Sequence, residues 1–264
     1  MNFGLIIVGD EILSGKRQDK HLPRVIELLG ARGLALSWAR YVGDDRRLIT
    51  AALRDAFASG DAVFSCGGIG ATPDDHTRQC AAAALDRELV LQPEAKALIT
   101  QRMQEQAAEK GVAFQPDAPD NLHRLNMGVF PVGASIIANP YNRIPGFSVG
   151  EVHFVPGFPV MAHPMIEALL DTRYVGLHGS QRGAERSVIV YGAMEASLTP
   201  LMEAIEREHA GVRVFSLPSV DHPVHGRHIE LGVKGAEAEV STAYAELRRG
   251  LSTLGAKMGP ELVR

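Results

Sequence analysis

The stretch DAVFSCGGIGATPDDHT occupies residues 61–77, and the alanine-rich run RQCAAAAL follows it. A short apolar run, then three glycines, then a threonine, a proline and a carboxylate before a helical pattern reads as strand, loop and helix start. Gly67, Gly68 and Gly70 let the backbone approach a ligand, and a following helix N-terminus favours an anion. The loop has neither the GKS/T of a Walker A motif nor the GxGxxG of a dinucleotide fold. It carries Asp74 and Asp75 in place of a lysine. One reading is structural: Thr72 caps the helix, Pro73 is its first residue, and Asp75 completes a capping box. The functional reading needs a reason for two acids beside a phosphate. A divalent cation between them is one, because Mg²⁺ is held by one or two carboxylates plus phosphate oxygens. A carboxylate accepting hydrogen bonds from a base, a pterin or a ribose is another.

Outward from this loop, strand and helix signals alternate. FGLIIV (3–8) is a continuous apolar run, as in a strand buried on both faces. Residues 22–33 have helical spacing with Asp19 as a cap and Gly33 at the end. Residues 34–42 alternate like a strand, 44–60 form an Asp-capped amphipathic helix, and 61–66 are the third strand. The order β-α-β-α-β-loop-α predicts a parallel sheet with right-handed crossovers. Residues 92–111 read as a long helix and 112–134 as a proline-rich surface wrap. Residues 135–139 and 151–157 read as strands linked by a loop, and 161–171 as a helix with Pro164 in its first turn. After about residue 172 the composition shifts. Residues 174–186 read as loop, followed by strand 187–191, helix 197–208, strands 212–217 and 228–233, and helix 236–254. The expectation is an α/β domain over 1–172, a three-layer parallel-type sheet with helices on both faces, and a small β-α-β-β-α domain over 173–264.

Bulk properties narrow the class. The chain has 264 residues, a formal net charge of −4, 45% hydrophobic and 22% charged residues. A sizeable core follows, and the acid excess argues against a nucleic-acid or membrane-surface partner. No run approaches a membrane span. Two cysteines without CxxC fit a reduced, cytoplasmic protein.

Two further segments share the strand-end position of the glycine loop. GDEILSGKRQD (9–19) follows the first strand, with a turn glycine, Gly9, then Asp10, Glu11, Ser14, Gly15 and Asp19. A polar loop with an Asp cap is the plain reading. Strands 1 and 3 of a parallel sheet end on the same side, however, so the two acidic loops converge. Pro156-Gly157-Phe158-Pro159 leads from another apolar strand into a helix and closes a third side. Arg143 reads as a solvated loop arginine. His222, His225 and His228 read as a polar hairpin loop in preference to a metal site. Cys66 reads as a buried thiol.

GDEILSGKRQD, GGIGATPDDHTR and FVPGFPVMAHPM, in that order, resemble the segments of the MoaB/Mog molybdopterin-binding fold, most closely those of the N-terminal region of CinA-type proteins. The resemblance covers about residues 1–170. The tail is similar in element order to the KH-like domain that follows in CinA-type proteins, without a clear GxxG nucleic-acid loop, and the chain is too short for their C-terminal amidase domain. Asp19-Lys20-His21 departs from the Asp-Thr-Asn frequent in the family, and Phe158 from its small aliphatic residue. The resemblance puts Gly67, Gly68, Gly70 and Thr72 in the phosphate cradle. It puts Asp75 in the place of the acid implicated in ligand binding or adenylyl transfer. It implies metal-dependent hydrolysis of ADP-ribose-type diphosphates, with Asp74 and Asp75 as catalytic carboxylates and Asp74, Asp75 and Asp10 holding Mg²⁺, Mn²⁺ or Co²⁺. The remaining ligand contacts fall to Gly9, Asp10, Glu11, Ser14, Gly15, Asp19, Thr77, Pro156 and Gly157. The alternative it implies is a molybdopterin-binding protein or a Mog-like adenylyltransferase. Either way the partner is a small nucleotide or pterin, and a dimer or trimer is expected.

Overall fold

Alternate residues of β1 (Phe3–Val8) serve opposite faces of one sheet. Phe3, Leu5 and Ile7 enter one core cluster, and Ile6 and Val8 enter another. All six residues are buried, so both faces must be covered, and helices do it. The chain continues through α1 (Asp10–Leu13), α2 (His21–Gly30), β2 (Leu36–Val42), α3 (Arg46–Ser59), β3 (Ala62–Cys66) and α4 (Thr77–Leu85). It then forms β4 (Leu89–Leu91), α5 (Pro93–Glu109), α6 (Pro119–Arg124), β5 (Val129–Pro131), β6 (Ser135–Ile137), β7 (Gly146–Val149), β8 (Val152–Val155) and α7 (Pro159–Thr172). Val25, Leu28 and Leu29 of α2 and Met165, Ile166 and Leu170 of α7 pack on the Phe3 side. Ile49 and Leu53 of α3 and Cys80 and Ala81 of α4 pack on the Ile6 side. The result is the expected three-layer α/β arrangement. The sheet order is β2-β1-β3-β8-β7-β6. β2, β1, β3 and β8 are parallel, and β7 and β6 extend the edge antiparallel.

This computed structural model describes residues 1–180 and 183–264. The Gln181–Arg182 part of the stretch read as loop lies outside the described residues. The chain divides into two compact units, Met1–Ser180 and Gln181–Arg264. The second contains β9 (Ala184–Tyr191), α8 (Glu195–Glu208), β10 (Arg213–His222), β11 (Gly226–Gly235), α9 (Glu237–Thr253) and β12 (Lys257–Val263). Its antiparallel sheet has the order β10-β11-β9-β12, and it has a core of its own around Val190, Leu231, Val233 and Leu247.

Four local expectations are corrected. The segment 138–150 contains a strand, β7, joined to β8 by a two-residue turn at Gly150 and Glu151. β7 is four residues long and follows Pro145, so its loop-like composition hid it. The wrap at 112–134 includes α6 and β5, and β5 pairs with β4. The last strand, β12, holds Gly259 and Pro260 at a register shift, which an edge strand tolerates and a central one does not. α7 begins at Pro159, so Pro164 lies beyond its first turn and inside the helix. Its missing N–H costs an intrahelical bond, offset by the full burial of Ala162, Met165, Ile166 and Leu170.

Candidate active site

β1, β3 and β8 are neighbours and parallel, so their C-terminal ends bring three loops together. A cavity of about 520 Å³ forms there. Of the expected residues, Gly9, Glu11, Gly67, Gly68, Gly70, Thr72, Asp74, Asp75, Pro156 and Gly157 line it. Arg17, Asp44, Ile69, Ala71 and Phe158 line it as well.

The glycine loop is fixed from both ends. The Gly67 N–H donates to the Val155 carbonyl at 3.0 Å. The Thr77 hydroxyl donates to the Gly67 carbonyl at 3.0 Å, and the Thr77 N–H donates to the Gly68 carbonyl at 2.9 Å. Gly67 has φ 104° and Gly68 φ 69°, conformations that side chains disfavour. A Cβ on Gly67 would strike the Val8 carbonyl, and one on Gly68 the Thr77 hydroxyl. The consequence lies in what the clamp leaves unbonded. The N–H groups of Gly68, Ile69, Gly70 and Ala71 have no acceptor among the described residues, and all four residues line the cavity. Gly68, Gly70 and Ala71 are half-buried, so their N–H groups are open to solvent or a ligand, and a run of consecutive N–H groups is an anion-binding concavity.

The capping-box expectation is corrected in position. The helix α4 starts at Thr77 with His76 as its N-cap residue, five residues after Thr72. The Thr72–Asp75 pairing exists as a separate turn. The Thr72 N–H and hydroxyl donate to Asp75 Oδ2 at 2.8 and 2.5 Å, and the Asp75 N–H returns to the Thr72 carbonyl at 3.0 Å. Asp75 therefore shapes the loop while lining the cavity.

The acidic wall differs from the expected one. The Asp10 N–H donates to Asp44 Oδ2 at 3.0 Å, and the Asp44 N–H to Asp10 Oδ1 at 3.1 Å. This reciprocal brace ties the β1 loop to the end of β2, and Asp44, not Asp10, reaches the cavity. Partial burial raises the Asp44 carboxyl above its ordinary value, and the Asp10, Glu11 and Asp74 charges push the same way. The sequence expectation of an Asp cap for this helix leaves Asp44 and Asp45 both open. The cap is Asp45, whose side chain accepts from the Leu48 N–H at 2.9 Å, and this frees Asp44. The signal was present in Gly43-Asp44-Asp45, since one acid can cap and two leave one over. Asp10, Asp74 and Asp75 do not converge as three metal ligands. Among the described residues, no group of three or more His, Cys, Asp or Glu is placed to hold a metal, and the brace and the Thr72 turn account for two of the three carboxylates.

Four other expected contacts lie outside the cavity. Ser14 and Gly15 are exposed on the turn after α1, displaced because residues 10–13 coil into a helix and carry the chain outward. Asp19 caps α2, accepting from the His21 and Leu22 N–H groups and the Tyr41 hydroxyl. Thr77 is buried as the loop clamp. His21 is a positioning residue: its Nε2–H faces the Gly157 carbonyl at 3.0 Å. Arg143 pairs with Glu105 at 3.1 Å, away from the cavity. The three histidines meet at the β10–β11 hairpin, with ring centres 5.0–5.6 Å apart. Their Nδ1 atoms are engaged by the Val224 and His225 N–H groups, by the Tyr191 hydroxyl and by the Gly226 carbonyl. Cys66 and Cys80 are buried free thiols.

Residues 4–174 match the family model described as "Probable molybdopterin binding domain". The chain belongs to the MoaB/Mog molybdopterin-binding superfamily. Within it, the chain is 31% identical to a CinA-like protein of Syntrophotalea carbinolica over 220 residues, covering 78% of this chain and 50% of that protein. It thus spans about half the length of that curated relative. A Pyrobaculum calidifontis protein is 31% identical over 257 residues, 92% of this chain and 93% of its own length. Among solved structures, the protein CinA of Thermoplasma acidophilum, described as of unknown function, superposes with a TM-score of 0.54 at 28% identity. That superposition covers 65% of this chain and 98% of the other. Residues 4–174, the region matched by the family model, contain all three cavity loops. Among the described residues no helix is long and apolar enough to cross a membrane.

Proposed function

We propose that the cavity binds a phosphate ester carrying a flat heterocycle, a molybdopterin or an adenine nucleotide, and hydrolyses ADP-ribose-type diphosphates with a divalent cation. The observation that carries this reading is the joining, in one cavity, of four unbonded N–H groups at Gly68–Ala71 to a carboxylate wall of Glu11, Asp44 and Asp74. The amides suit phosphate oxygens, and Arg17 adds a cation at the same mouth. The carboxylates repel a diphosphate, and a hard cation resolves the conflict. Their oxygen donors suit Mg²⁺, Mn²⁺ or Co²⁺, with Asp44 and Asp74 as the protein ligands and phosphate oxygens completing the set. When bound, the cation supplies charge neutralisation and a polarised phosphorus–oxygen centre.

The chain's own groups do the rest. The Gly68–Ala71 amides hold the phosphate and stabilise charge that grows on it. Asp75 keeps the loop in register through Thr72. Glu11 stands on the opposite loop as the free carboxylate able to accept a proton from water. The fact that no three carboxylates converge favours a second reading, non-catalytic pterin binding or Mog-type adenylyl transfer, in which the wall accepts hydrogen bonds from the heterocycle. Purified protein given ADP-ribose with each metal decides between them. AMP release that is lost in Asp74→Asn supports hydrolysis. Saturable pterin binding without turnover supports the second reading. A cytoplasmic dimer or trimer belongs to the same proposal, with light scattering as its check.

A further inference from the structure

A second cavity, of about 340 Å³, shares Ala71, Thr72 and Asp75 with the first as a common wall. Its charge is opposite. Arg46, His76, Arg78 and His123 line it, against the single carboxylate of Asp75, which already accepts two hydrogen bonds from Thr72. Arg78 is 4% exposed. Its terminal nitrogens donate to the Asn126 and Gly70 carbonyls, and its buried Nε–H has no partner. No carboxylate among the described residues forms an ion pair with it. The hydrogen bonds of this buried guanidinium go only to neutral carbonyls, and the Asp75 charge offsets its burial only in part, whereas buried charges are normally paired directly. Arg46, on the first turn of α3, is exposed, and its guanidinium has no acceptor among the described residues.

We propose that this second cavity is an anion subsite that takes a phosphate or diphosphate group, gripped by Arg46 and by the unpartnered Nε–H of Arg78. Guanidinium groups match phosphate oxygens in geometry and charge. The wall shared by the two cavities is held from the second one: His123 Nε2 lies 2.8 Å from the Ala71 carbonyl, and Arg78 holds the Gly70 carbonyl at 2.6 Å. An anion at Arg78 therefore fixes the loop that carries the Gly68–Ala71 amides. The phosphate either belongs to the far end of a ligand whose other end sits in the first cavity, or arrives on a separate molecule. The subsite needs neither metal nor pterin.

The test is a calorimetric titration of the full chain with sodium pyrophosphate, in EDTA and at constant ionic strength. Wild type binds saturably, Arg46→Gln weakens binding at least about tenfold, and Arg46→Lys retains part of it. The exposed position of Arg46 lets both variants fold, checked by an unchanged melting temperature. Repeating the titration with ADP-ribose present identifies the source: competition means one spanning ligand, and simultaneous binding means two molecules. An absence of pyrophosphate binding, or Arg46→Gln binding as tightly as wild type, overturns the proposal. Arg46 does not line the first cavity, so that failure leaves the reading of the first cavity standing, and failure of ADP-ribose hydrolysis leaves this one standing.

Discussion

Gly68 lies where the Thr77 clamp meets the glycine loop. Its φ of 69° and the Thr77 hydroxyl against its hydrogen atoms leave no room for a methyl group. Gly68→Ala is expected to cost about 1–3 kcal/mol of stability and to weaken phosphate binding more than tenfold, measured by urea denaturation and by ligand titration. Asp44→Asn is expected to do the reverse to the fold. Removing one charge from a repelling group of Asp10, Glu11, Asp44 and Asp74 raises stability by about 0.5 kcal/mol, while the metal enhancement of ligand binding falls. Asp75→Asn keeps the Thr72 turn only in part and is expected to lower binding with or without metal. The glycines and Asp75 were legible from sequence because a strand, a helix start and a run of small residues leave few geometries. Arg17 was not, because its place depends on the path of a short turn, and Asp44 was legible only as one of two acids competing to cap a helix. Asp10 and Asp19 have the right chemistry, but Asp10 Oδ1 braces the Asp44 N–H, and the Asp19 oxygens take the His21 and Leu22 N–H groups and the Tyr41 hydroxyl.

At the scale of elements, the sheet keeps the cavity loops and a buried polar chain at opposite ends. The glycine loop lies at the C-terminal ends of β1, β3 and β8, whereas a buried polar chain begins at the other end of β8. The Ser148 hydroxyl donates to His153 Nδ1 at 2.7 Å, His153 Nε2–H to the Tyr174 hydroxyl at 2.5 Å, and that hydroxyl to Glu151 at 2.6 Å. Ser148 and His153 are almost fully buried, so the pair braces β7 against β8 and, through Tyr174, the segment that follows α7. Burial lowers the His153 pKa to about 4, with Arg173 adding to the effect. The unfolded chain, titrating near 6.5, then binds the proton more readily. Stability is full above pH 6.5 and falls as pH drops toward 4, by about 3 kcal/mol from this group. His21 and His163 shift in the same direction, so His153→Gln is expected to reduce the slope of urea midpoint against pH between 6.5 and 4 without abolishing it. β1, β3 and β8 were legible because continuous apolar runs announce burial on both faces, and β2, the edge strand, through its alternation. β4, β5 and β7, of three or four residues each, carry too little pattern to be told from loop.

At the scale of the molecule, each unit has a hydrophobic core of its own, and all three cavity loops lie within Met1–Ser180. A fragment ending at Ser180 is expected to fold and to bind ligand within about threefold of the full chain, checked by circular dichroism and titration. A fragment that folds without binding would move part of the site to the second unit. The central claim is that the Gly68–Ala71 amides take a phosphate beside a cation-binding acidic wall. The most direct measurement is calorimetric titration of ADP-ribose into wild type, Gly68→Ala and Asp74→Asn, each with Mn²⁺ and with EDTA. Wild type is expected to bind with Mn²⁺ tightening the binding, Gly68→Ala to lose binding under both conditions, and Asp74→Asn to lose only the Mn²⁺ effect. Equal affinity in wild type and Gly68→Ala would contradict the claim.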